Sequence, residues 1–211
     1  MKLRSFVHQS ALYTLGNVAN RLAGFLLIPV YTSFLSTSEF GLLALVDLFL
    51  SLAITTLGIQ SIAGSMIRIY HDWDEPERRR RVVSTALLGT SALAALLVVT
   101  AWIFAPHISL LVFDDLGPTR LVRVSLLALF TSNVVEFLLV HERLRLRAGF
   151  FVSYSFVQLI ATLSLNVWLI AFEGLGVWGF VWSKLAVSTV GAVFLLARTL
   201  PSIGLAWDGE A

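Results

Sequence analysis

Six long apolar stretches alternate with short polar breaks along the chain. They cover about residues 8–35, 41–66, 82–105, 119–140, 150–172 and 176–198. At 1.5 Å per residue, about 20 helical residues cross a hydrocarbon core about 30 Å thick. The apolar runs are continuous rather than alternating, which predicts helices and not barrel strands. The breaks carry their own signals. Ser36-Thr37-Ser38-Glu39-Phe40 reads as a short turn, and Arg68 to Arg81 as a charged loop. Pro106 is expected to stop the third helix, and 106–118 reads as a loop holding Asp114, Asp115, Gly117 and Pro118. His141–Arg147 is a basic loop, and Glu173-Gly174-Leu175-Gly176 a tight turn. Pro29 removes a backbone bond inside the first stretch and is expected to kink it. The pattern predicts an all-α polytopic membrane protein: one lobe of six transmembrane helices over 1–200 and a polar tail over 201–211.

Composition agrees. Of 211 residues, 57% are hydrophobic and 13% charged, and the mean hydropathy is +0.85. Too few polar side chains remain to cover a soluble domain of this size, and a disordered chain is excluded as well. Cysteine is absent, which removes disulfides, thiolate metal sites and cysteine nucleophiles. The net charge of +2 is no nucleic-acid footprint.

The basic residues set an expected orientation. Lys2, Arg4, Arg68, Arg78, Arg79, Arg80, Arg81, Arg143, Arg145, Arg147 and Arg198 fall on one side, against Arg120 and Arg123 on the other. The positive-inside rule places the first group, and both termini, in the cytoplasm. Trp102, Trp168, Trp178 and Trp182 then all sit near the outer ends of their helices, as an interfacial aromatic belt.

Polar groups inside a bilayer are costly unless they face protein or water. Here they recur at four-residue spacing, which keeps side chains near one helix face. The first stretch has Tyr13, Asn17 and Arg21, with Asn20 beside them; the second has Asp47, Ser51 and Thr55; the fifth has Tyr154, Gln158, Thr162 and Asn166; the sixth has Lys184 and Ser188. Such stripes predict a hydrated central cavity; the alternative is that they bind helices to one another. Arg21 lies near the midplane and keeps its charge. An anion from outside the chain, such as a phosphate, suits its guanidinium; a backbone carbonyl or Glu136 is the alternative partner. Asp47 and Lys184 lie at similar depths and read as an ion pair. Arg78 to Arg81 and Arg68 read as anchors on anionic lipid, or as guides for a phosphorylated substrate. Gly174-Leu175-Gly176-Val177-Trp178-Gly179 spells a dinucleotide fingerprint, but it follows a membrane helix and reads as an interhelical turn. His8, His71, His107 and His141 show no metal spacing, and no catalytic constellation is visible.

Several of these segments resemble the polysaccharide-biosynthesis flippases of the multidrug/oligosaccharidyl-lipid/polysaccharide exporter superfamily. They are Asn17…Arg21-Leu22-Ala23-Gly24…Pro29, Leu35-Ser36-Thr37-Ser38-Glu39-Phe40-Gly41, Gly58…Ile67-Arg68-Ile69-Tyr70 with Arg78–Arg81, and Leu175-Gly176-Val177-Trp178-Gly179. The resemblance covers nearly the whole chain and matches the N-terminal six-helix half of such proteins. It implies two lobes around a cavity that opens to one side at a time. It implies movement of a lipid-linked oligosaccharide, a sugar unit on polyprenyl pyrophosphate, across the bacterial cytoplasmic membrane, with no cofactor. Arg21, Asn17, Asn20, Asp47, Gln158, Asn166 and Lys184 would then line the cavity. Because one lobe encloses no cavity, the expected partners are a second lobe in a longer protein, a second copy, or a polysaccharide polymerase. The alternatives are a multidrug exporter, which the absence of an acidic residue in the first stretch disfavours, and a non-transporting membrane partner or remnant.

Overall fold

The computed structural model describes residues 25–56, 76–144 and 148–203, and all regular structure among them is helical. The helices are α1 (Phe25–Phe34), α2 (Thr37–Thr56), α3 (Pro76–Ile103), α4 (Ala105–Phe113), α5 (Thr119–Leu144), α6 (Ala148–Val167, continued by a π-helical turn over Trp168–Phe172) and α7 (Val177–Ile203). Among the described residues, four segments are long and apolar enough to cross a membrane: Val83–Ile103, Thr119–Arg143, Gly149–Phe172 and Val177–Thr199.

Two cores show how these four run. One joins Val98 of α3, Leu121, Val122, Leu126 and Leu129 of α5, Ile170 beyond α6, and Val177 and Val181 of α7. The other joins Val83 and Leu87 of α3, Val135 to Val140 of α5, Phe151 of α6, and Ala192 and Leu195 of α7. Consecutive helices therefore traverse the bundle in opposite directions. α5 touches α2, α3, α4, α6 and α7, and packs most extensively against α7. The Thr131 and Ser188 hydroxyls join that pair at 2.5 Å.

Local chemistry explains the turns. Ser36 caps α2: its hydroxyl accepts from the Glu39 N–H at 3.3 Å, and the Glu39 carboxylate accepts from the Ser36 N–H at 2.9 Å. This reciprocal capping box saturates donors that the first helical turn leaves free. At the other tight turn the helix widens, with Glu173 N–H donating to Trp168 O at 3.1 Å. Gly174 (φ +63°) and Gly176 (φ +54°) then reverse the chain in the left-handed region that suits glycine. The two turns meet, because Gly176 lies against Glu39 and Leu35. Gly179, third glycine of the fingerprint-like run, lets α7 close onto Leu169 and Ile170.

Three boundaries differ from the sequence reading. α3 ends at Ile103, close to the stop expected at Pro106, but Pro106 then lies in the first turn of a new helix, α4, where its missing N–H is no loss. Much of the expected 106–118 loop is therefore helix, ending at Asp114 in a left-handed conformation (φ 54°). Arg78 to Arg81 lie within the first turns of α3 rather than in a loop. The expected loop from His141 begins instead as the last turn of α5, with His141 and Glu142 buried. α3 extends past the apolar boundary because a long charged side chain such as exposed Arg81 keeps its head in water, whereas α5 extends because His141 and Glu142 are packed within the bundle.

Candidate functional site

The polar residues that come together lie where α1, α2, α6 and α7 meet. Lys184 enters α7 seven residues after Val177, about 10 Å along the axis. Its ammonium lies 3.8 Å from the Asp47 carboxylate of α2 and 5.5 Å from the Phe180 ring. The opposite side of the cluster is built on Tyr31 of α1. Its ring meets Phe180 edge-on at 6.3 Å, and its hydroxyl donates to Asn166 Oδ1 at 3.4 Å. Asn166 donates in turn to Thr162 O at 3.1 Å. The two sides differ in exposure. Asn166 is 1% exposed, whereas the Asp47 side chain is 62% exposed and Lys184 28%.

Asp47, Asn166 and Lys184 are thus three of the expected cavity residues brought into one region, with the Asp47–Lys184 pairing as read from depth. Asn17, Asn20 and Arg21 lie outside the described residues, as do Arg68, Arg145 and Arg147. Glu136, weighed as a partner for Arg21, pairs with Arg143 at 3.4 Å.

Gln158 does not join this region. With Tyr154 and Ser153 it lines a groove of about 530 Å³ between α6 and α7, walled otherwise by apolar side chains such as Val157, Leu165 and Phe194. The four-residue stripe from Tyr154 to Asn166 therefore does not face one cavity. At 3.6 residues per turn, each four-residue step rotates about 40°, so three steps rotate about 120°. Tyr154 and Gln158 open into the groove while Asn166 turns toward α1.

At the opposite end lie the arginines. Arg143 stacks over Phe151 and Arg198 over Phe150, each at 4.3 Å. Arg81 is exposed. Near the turns, Arg123 lies 5.8 Å from the Trp102 ring.

Tyr31 has no forewarning in the sequence: it stands apart from the four-residue stripes, and its partner is 135 residues away. The burial of Glu142 could have been suspected, because continuing the apolar helical face of α5 by one turn carries it inward.

A family model described as polysaccharide biosynthesis protein matches residues 30–210. Neither curated proteins nor solved structures gave a match.

Proposed function

The chain belongs to the polysaccharide biosynthesis protein family, and from that membership we propose that it carries a lipid-linked oligosaccharide across the bacterial cytoplasmic membrane. In this reading it is one six-span lobe of a two-lobe transporter with both termini in the cytoplasm, and it performs no covalent chemistry. The second lobe comes from more of the same protein, a second copy or another chain.

One observation carries the reading. Asp47 lies beside Lys184, and Lys184 is well inside a helix long enough to span the membrane. The Asp47 carboxylate is open on the surface of the lobe. A carboxylate presented to lipid at that depth costs several kcal/mol, so this face suits a water-filled path or another lobe. A passage for sugars needs such a face. Asn17, Asn20 and Arg21 precede α1 in the chain, and Arg21 is the residue proposed to neutralise the pyrophosphate. Asp47 and Lys184 are proposed to hydrate or hold the sugars, with buried Asn166 positioning Tyr31 beside them; Gln158, which opens into the separate groove, has no part in this. Arg68 and Arg78 to Arg81 are proposed to hold the anionic leaflet.

The test is complementation of a strain that lacks its own oligosaccharide flippase, with surface polysaccharide and cytoplasmic-face lipid-linked precursor both quantified. Arg21→Ala is expected to abolish surface polysaccharide and accumulate precursor at normal protein level. Unchanged export would remove Arg21 from its role. Failure of the wild-type chain to complement, with or without a supplied second lobe, would count against transport itself.

A further inference from the structure

We propose that the groove between α6 and α7 holds one acyl chain of an anionic phospholipid whose phosphate rests on Arg198. The inference is separate from transport: the lipid is a resident of the protein, not its cargo.

The groove lies between two segments that are each long and apolar enough to span a membrane. Its lining runs along α6 from Phe150 to Leu165, about 22 Å at helical rise, which exceeds half of a hydrocarbon core about 30 Å thick. It is therefore deep enough for one chain from one leaflet. Its volume of about 530 Å³ falls within the range of sites that enclose a drug-sized ligand. It stays open because small side chains line it, including Ala161 and Ala186, while Val157 and Val190 stand 67% and 70% exposed. An empty apolar trough forfeits dispersion contacts along both walls, and a flexible hydrocarbon chain restores them.

The charge at one end selects the headgroup. Phe150 closes the groove, and the Arg198 guanidinium stacks on its ring at 4.3 Å. Arg198 lies 21 residues after Val177, about 32 Å along the axis, so it reaches the far edge of the hydrocarbon layer, where lipid phosphates lie. It is exposed, and among the described residues it has no carboxylate partner. A guanidinium donates two parallel hydrogen bonds to a phosphate. Tyr154 lines the groove one turn deeper than Phe150, about 6 Å below it. That is the level of the ester carbonyls of a lipid whose phosphate is at Arg198.

The test uses the full chain, purified in detergent and stripped of lipid. Thermal unfolding and native mass spectrometry are read with dioleoylphosphatidylglycerol, dioleoylphosphatidylcholine, a polyprenyl phosphate or inorganic phosphate. Phosphatidylglycerol should bind and raise the midpoint most, phosphatidylcholine less, and phosphate alone not at all. Arg198→Gln should weaken phosphatidylglycerol about tenfold, to the level of phosphatidylcholine; Arg198→Lys should recover part of the preference. Ala161→Phe, which fills the groove from its open side, should remove the response to both lipids. A photoreactive phenylalanine analogue at Val190 should label lipid in native membranes, a readout that survives if either variant misfolds. The proposal fails if Arg198→Gln keeps the preference, if Ala161→Phe keeps the lipid, or if the Val190 label attaches to a protein chain. Tighter binding of the polyprenyl phosphate than of phosphatidylglycerol would overturn it in favour of cargo.

Discussion

The Lys184 ammonium lies 3.8 Å from the Asp47 carboxylate, joining α7 to α2 across 137 positions of sequence. The pair is half open, so its worth is set by what each charge faces when the other is removed. Asp47→Ala and Lys184→Ala should each lower stability by about 1 kcal/mol. The double variant should cost less than the two singles together, with a coupling of about 0.5 kcal/mol or more. A double-mutant cycle on unfolding midpoints in micelles measures this, and strictly additive losses would show that the charges do not interact.

The capping box ties stability to pH. Hydrogen bonds from the Ser36 backbone N–H and then its hydroxyl hold the Glu39 carboxyl below its ordinary value of 4.5. A carboxyl lowered on folding stabilises the folded chain at pH above its unfolded value, and that contribution disappears as pH falls through the folded one. The wild type should therefore lose stability below pH 4.5 more steeply than Glu39→Gln does. Ser36→Ala should cost about 1 kcal/mol at neutral pH. Matching acid profiles for the wild type and Glu39→Gln would contradict the assignment.

The two glycines of the second turn should not be equivalent. Both have positive φ, so alanine at either costs about 1–2 kcal/mol of backbone strain. A methyl group at Gly174 meets open space, whereas at Gly176 it meets the Glu39 carboxylate. Gly176→Ala should therefore be the more destabilising, and Glu39→Ala should relieve part of the excess. Equal losses at the two positions would mean that the turns do not touch.

Burial on α5 should outweigh apolar character. Leu138 is fully buried while Leu111 of α4 is 88% exposed. Leu138→Ala should cost about 2–5 kcal/mol, and Leu111→Ala within about 0.5 kcal/mol. Unfolding of both variants in the same detergent decides the matter; similar losses would displace α5 from the centre of the bundle.

Much of the architecture was legible because hydrocarbon length, helix rise and apolar composition are one-dimensional quantities. The stretches around α5, α6 and α7 could be read within a few residues, and the turn at Glu173–Gly176 from its glycines alone. The depth of Asp47 and Lys184 could also be counted along their helices, which was enough to pair them. The reading failed where a local signal was ambiguous. Pro106 marked the end of α3 as expected, but a proline also opens helices, and only the structure shows that α4 begins at Ala105 where a loop was expected.

What the sequence by itself determined is the class of molecule: apolar helices of membrane-crossing length with the arginines gathered at alternate ends. Azimuth was decided only by packing. Counting residues fixes how deep a side chain lies, but which way it faces depends on which helix lies alongside. The stripe from Tyr154 to Asn166 turns about a third of a revolution as it climbs, so α1 receives one end and the groove beside α7 the other. Tyr31 entered the polar cluster, and Arg198 came to stack on Phe150 at the end of the groove, for the same reason: their neighbours belong to distant parts of the chain and meet them only after the helices have packed.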